Sequence, residues 1–176
     1  VSVVAAAIER DMRASSGVVL ALFSLASGLA GFYYGSRSWG SPLVVRFLWG
    51  VSAMCAACLT LLLADSVLML CLVGLVVGLT VAPTLINGNS LIGRLVARER
   101  LTEGLAWMGT GIGIGVAIGS SLSGQVIDVA GYHGGFVTVA GFAALAAIIA
   151  LAGARGLGRA LARSSIDADE PEVAAS

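Results

Sequence analysis

The sequence predicts an all-α integral membrane protein with about five transmembrane helices and a truncated helix before them. Three observations carry that expectation. The chain is 58% hydrophobic and only 11% charged, whereas soluble globular chains are about 25% charged. Its mean hydropathy is +0.98. Its apolar residues gather into stretches close to the roughly 20 residues that cross a hydrocarbon core about 30 Å thick, and eight of its ten arginines fall on alternate connections between them or after the last, with Arg10 and Arg13 on the opposite side. The stretches are continuous rather than alternating, and lipid offers backbone groups no hydrogen-bond partner, so helices are expected rather than strands.

Taken in order, residues 1–16 read as the end of a truncated helix and an outside loop. Val1 to Ile8 is apolar with no basic region before it, unlike a secretory signal peptide. The chain is therefore expected to be a fragment of a longer protein or a truncated gene product. A five-helix bundle follows over 17–155, with helices at about 17–35, 43–63, 67–96, 104–127 and 134–154. The third is drawn out to Val96 because Leu91, Ile92, Leu95 and Val96 continue an apolar stripe beyond Asn87, Asn89 and Ser90. A bend is expected near Pro83, since neighbouring helices can satisfy the carbonyl that a proline frees. Residues 156–176 read as a disordered cytoplasmic tail, polar and acidic beyond Ser164.

All ten basic residues are arginine. Arg37 and Arg46 flank the first connection, and Arg94, Arg98 and Arg100 surround the third. Arg155, Arg159 and Arg163 follow the last helix. The second connection carries Asp65 and the fourth Asp128 and His133, without arginine. The positive-inside rule then puts the arginine-bearing ends and the C-terminus in the cytoplasm of a multi-pass protein of the inner (plasma) membrane. Net charge is zero, and no nucleic-acid partner is expected. The lipid bilayer is the first partner.

No Asp, Glu, Lys, Arg or His lies near the middle of any expected span. Intramembrane catalysis and ion coupling usually place an ionisable group there, so an enzyme is not expected. Cys55 and Cys58 form a CxxC inside an apolar run without a second pair or a nearby histidine, and they read as small buried hydrophobes. No metal site and no cofactor is expected. Glycine is abundant instead. Gly111, Gly115, Gly119 and Ser123 recur every four residues, with Gly124 beside them, and form a small-residue face suited to close helix packing. Gly74 and Gly78 make a shorter version on the third helix. The GxGxG run lacks the third glycine and the preceding strand of a dinucleotide fingerprint. Thr84, Asn87, Asn89, Trp107 and Thr110 are the candidates for a substrate pathway. Interhelical hydrogen bonding for the amides and an interfacial belt for Trp107 are the alternatives. Tyr33, Tyr34, Trp39 and Trp49 read as interface anchors.

Three strings give the chain a family likeness. Gly-Leu-Thr-Val-Ala-Pro-Thr (78–84), Arg-Leu-Thr-Glu-Gly-Leu-Ala-Trp (100–107) and Gly-Gln-Val-Ile-Asp-Val-Ala-Gly (124–131) resemble stretches of the tenth and eleventh helices of the major facilitator superfamily, in bacterial efflux-type members. The whole order resembles that family's C-terminal half, from the end of helix 7 to helix 12. Its named motifs are only echoed. Of the loop motif G-x-x-x-D-R-x-G-R-R, Gly31 matches, while Gly35 and Ser36 replace the acidic and basic residues. The antiporter motif would fall on Ala106, Gly115, Gly119, Ser120, Ser123 and Gly124, with Ser120 in place of proline.

The resemblance implies transmembrane transport of a small-molecule substrate by alternating access, with efflux as the direction. This chain would be one half of a permease whose missing N-terminal half supplies the other wall of the site and the coupling residue. Such a half is expected to be inactive alone. The alternative is a small integral membrane scaffold or assembly subunit that packs through its glycine faces.

Overall fold

The computed structural model describes residues 13–63 and 66–169, and no strand occurs among them. Helix α1 is Arg13–Gly35, α2 is Leu43–Leu59 and α3 is Val67–Leu95. A 3₁₀ turn at Thr60–Leu63 ends α2, and another at Arg98–Arg100 leads into a helical run over Leu101–Asp169. That run is broken at Gly131 (φ 67°, ψ −171°) into α4 (101–130) and α5 (132–169). Five helices among the described residues are long and apolar enough to cross a membrane: Gly17–Gly35, Leu43–Leu63, Leu68–Leu95, Arg98–Gly131 and His133–Arg163.

Local signals set the ends of these elements. Ser66 caps α3, its Oγ accepting from the Met69 amide at 3.2 Å, which satisfies one of the orphan donors of a first helical turn. Pro42 stands before α2, where its fixed φ suits a helix start. The Arg46 amide donates to the Pro42 carbonyl at 3.1 Å.

The break between α4 and α5 is tighter than the outside turn expected around Asp128 to His133. At Gly131 the backbone takes a conformation open only to glycine without strain. Gly134 then comes up against Val126 and Ala130, so that a Cβ there would overlap both. A straight helix would hold Gly134 about 12 Å from Val126, so the chain doubles back on itself within a few residues.

Core contacts show that the helices run alternately up and down. Val19 near the start of α1, Leu61 after α2, Leu70 and Val73 at the start of α3 and Phe136 at the start of α5 form one buried cluster. At the other end, Tyr34 of α1 reaches Asn87 of α3, and Gly88 lies under Met108 of α4 and Phe47 of α2. Arg37, Arg46, Arg94, Arg98 and Arg100 therefore gather at one end, and Asp128 and His133 lie at the other.

The pairing of α1 with α3 is the closest in the bundle. A side chain at Gly78 would run into the Phe23 carbonyl and would stand 3.1 Å from the Ala26 Cβ, and one at Gly74 would meet Val19 at 3.1 Å. Small residues four apart thus bring two backbones together, as expected where lipid gives apolar helices no hydrophobic reason to associate. The outer surface is correspondingly greasy: Phe32 is 79% exposed, Leu68 71% and Val116 63%.

Helix α4 differs. A Cβ at Gly109, Gly111, Gly113, Gly115, Gly119 or Gly124 would meet nothing within 4 Å, and none of the 18-residue apolar window of this span is buried. Of the small-residue face only Ser123 is buried. The close contact expected along this face is instead made by Gly74 and Gly78, because α1 lies against α3.

The terminal expectations fare differently. Residues 1–12 and 170–176 lie outside the described residues, as does Asp65. Residues 13–16, expected as loop, form the first turn of α1, and 156–169, expected as disordered, continue α5 as helix. Leu157, Ala160, Leu161 and Ala162 are good helix formers, and Leu157 and Leu161 continue a stripe at i, i+4 between the arginines.

Gly78→Val is expected to lower the unfolding midpoint in detergent, by an overpacking cost of roughly 1–3 kcal/mol. Gly113→Ala on the open face of α4 is expected to leave it unchanged or raise it slightly. Thermal melts read by fluorescence-detected size exclusion check both.

Candidate functional site

Two separate surfaces carry the polar residues at membrane depth. The first is built where α1, the connection after it, α2 and α3 meet. Tyr34 donates its hydroxyl proton to Asn87 Oδ1 at 3.1 Å, and Asn87 is only 2% exposed. Trp39 stacks on Tyr34 with ring centroids 4.6 Å apart, and its Nε1 donates to the Tyr34 carbonyl at 3.0 Å. Arg37 donates to the Tyr33 hydroxyl at 2.8 Å and lies 5.5 Å from the Trp39 ring centre. The connection is thus folded back over the end of α1, and the hydroxyl of its last aromatic residue reaches across to α3.

Beside this cluster runs a groove of about 480 Å³, walled by Arg46, Trp49 and Ala53 of α2 and Leu79, Pro83 and Asn87 of α3. Most of its wall is apolar. Arg46 is half-buried. Its Nε is fully buried without a hydrogen-bond partner.

The second surface lies on α4, where Glu103, Ala106, Trp107 and Thr110 line a hollow of about 220 Å³. Trp107 is 71% exposed. The Thr110 hydroxyl donates to the Ala106 carbonyl at 2.9 Å, which leaves its oxygen lone pairs available on an open surface.

The five pathway candidates therefore do not converge. Trp107 and Thr110 share the α4 hollow, and Asn87 lines the groove. Thr84 is buried, with its hydroxyl donating to the Thr80 carbonyl at 2.7 Å. A Cβ at Gly50 of α2 would strike that hydroxyl, so Thr84 sits in the α2–α3 contact. Asn89 is exposed, and its Nδ2 donates to the Leu85 carbonyl at 3.0 Å. Two residues of helix turn it about 200° from Asn87, so it faces away from the groove.

Tyr34 and Arg46, which read from the sequence as an interface anchor and as the flank of a connection, both take part in this geometry. Tyr34 was expected to be an interface anchor and is the donor to Asn87. Arg46 was expected to flank a connection and reaches into the groove. Its position in the first turn of the span Leu43–Leu63 was the available signal. Among the described residues no group of three or more His, Cys, Asp or Glu side chains could hold a metal ion.

The family model of the Major Facilitator Superfamily matches residues 2–169. No curated protein and no solved structure matches the chain.

Tyr34→Phe and Asn87→Ala are each expected to destabilise the bundle, and the double variant by less than the sum. The coupling in a double-mutant cycle should be about 0.6–2 kcal/mol, the range of interhelical hydrogen bonds in membranes. Equilibrium unfolding in mixed micelles measures it, and strict additivity would show that the bond contributes nothing.

Proposed function

The chain belongs to the major facilitator superfamily, and from that premise we propose that it exports a small amphipathic molecule as the C-terminal bundle of a bacterial efflux permease. Members of the family are multi-pass transporters of small molecules rather than enzymes. The efflux direction, the pairing with an N-terminal half, the inner-membrane location and a cytoplasmic C-terminus are parts of the proposal.

One observation carries it above the others: α4 presents an open face. Among the described residues a Cβ at any α4 glycine from Gly109 to Gly119 would meet nothing within 4 Å, while α1 and α2 each pack against α3. An open wall is what one half of a two-bundle carrier needs, because its substrate lies at the midplane between the halves. Glycines leave that wall smooth enough for a second bundle to rock against it. Trp107 offers an aromatic face and Thr110 a hydroxyl to an amphipathic substrate. The clustering of the arginines of the first and third connections at one end supports a cytoplasmic placement of that end.

The scaffold alternative draws on the same open face, which could hold a partner helix without moving anything. Transport separates the two readings. Cells expressing the protein from its full reading frame are loaded with a panel of amphipathic fluorescent dyes. The proposal predicts lower accumulation of at least one dye than in vector controls. Trp107→Ala or Thr110→Val should restore accumulation at unchanged membrane abundance. Greater accumulation of a dye would reverse the direction and keep transport, while no difference across the panel would favour the scaffold.

A further inference from the structure

The groove between α2 and α3 has a polar head and a greasy body. Arg46 stands four residues into the span Leu43–Leu63, at the depth where a bilayer changes from headgroup to hydrocarbon. Among the described residues its guanidinium meets no carboxylate, and its Nε is buried without an acceptor. A buried guanidinium donor left unpaired is costly, and the planar fork of arginine fits a phosphate through two parallel hydrogen bonds. Ser41 lies at the same end of the groove, and Arg37 lies nearby over Trp39, which adds a second cation near the mouth.

Away from Arg46 the wall turns apolar. Trp49 and Ala53 continue along α2 at successive helical turns, and Leu79 and Pro83 face them from α3. This order runs from charge at the boundary toward hydrocarbon in the direction of the span. Trp49 is 73% exposed, so the groove is open along its side. An amphipathic phosphate laid in it would place its anion on Arg46 and its chain along Trp49, Ala53 and Leu79.

We propose that this groove is a binding site for an anionic phospholipid, whose phosphate pairs with Arg46 and whose acyl chain lies between α2 and α3. Basic pockets between membrane helices are a known means of holding acidic headgroups. Here the phosphate would pair with the terminal nitrogens of the Arg46 guanidinium, and the chain would lie along the groove between α2 and α3. The site is distinct from the open face of α4, and the proposal stands whether or not the transport reading does.

Tryptophan fluorescence tests it directly. The chain has three tryptophans, and Trp107→Phe leaves Trp39 and Trp49, both lining the groove. The purified full chain in detergent is titrated with phosphatidylglycerol or phosphatidylcholine carrying identical brominated acyl chains. Half-maximal quenching is expected at a roughly fivefold lower concentration of phosphatidylglycerol, the preference that one arginine near an anionic lipid surface gives. Arg46→Lys should keep most of that preference and Arg46→Gln should lose it, while Arg155→Gln should keep it in full. Circular dichroism establishes that each variant is folded. Should Arg46→Gln not fold, the Arg46→Lys comparison and the wild-type lipid preference still decide. Equal quenching by the two lipids, or a preference that survives Arg46→Gln, would overturn the proposal. Displacement of the brominated lipid by soluble glycerol phosphate would also overturn it, by showing a site for a free anion rather than a lipid.

Discussion

In hydrocarbon, apolar helices gain nothing from water by touching, so the bundle depends on how closely its backbones can approach. Gly74 and Gly78 supply that approach by letting α3 settle against Val19, Phe23 and Ala26 of α1. Gly50 does the same for α2 over the Thr84 hydroxyl. These contacts sum dispersion over many atom pairs, each worth only about 0.1–0.2 kcal/mol. They also fix the register in which Tyr34 meets Asn87, so the polar cluster at one end inherits its geometry from glycines nearer the other. The buried cluster around Leu70 and Phe136 closes that opposite end.

Helix α4 follows a different rule. It is as rich in small residues as any part of the chain, yet none of its glycines from Gly109 to Gly119 meets a neighbour. A helix joined to the bundle by Met108 over Gly88 at one end and by the Gly131 reversal at the other can hold its position while its middle stays open. On the proposed transport reading, that open middle would take the substrate and the second bundle that encloses it. The Arg46 groove serves another purpose on this reading. It ties the periphery of the bundle to the bilayer, where the substrate face has to stay free.

Much of the fold could be read from the residues. Long apolar runs divided by Arg37, Asp65, Arg98 and Asp128 define the spans, because a charge in lipid costs too much to sit mid-helix. What could not be read was which small residues touch. Gly74/Gly78 and Gly111/Gly115/Gly119 carry the same spacing, and spacing alone does not say which face has a partner. The pathway candidates failed to converge for a related reason. Polarity at membrane depth marks Thr84, Asn87 and Asn89 alike, but the turn of the helix sends one into a contact, one into a groove and one outward. An arginine at a span end ordinarily snorkels to water, so Arg46 does not stand out in the sequence. Only the packing of α2 on α3 shows its Nε buried. The reach of α5 to Asp169 was hidden by charge, since Arg155, Arg159 and Arg163 look like a stop although helix propensity continues past them.

On this reading lipid surrounds the helices, which cross it in alternation with the arginine-bearing connections on one side. Single cysteines at Arg98 and Asp128, in a background lacking Cys55, Cys58 and Cys71, can be probed with a membrane-impermeant maleimide in sealed vesicles of known orientation. Labelling from opposite faces is the predicted result, with the Arg98 position on the cytoplasmic side. Labelling of both positions from the same face would contradict the account.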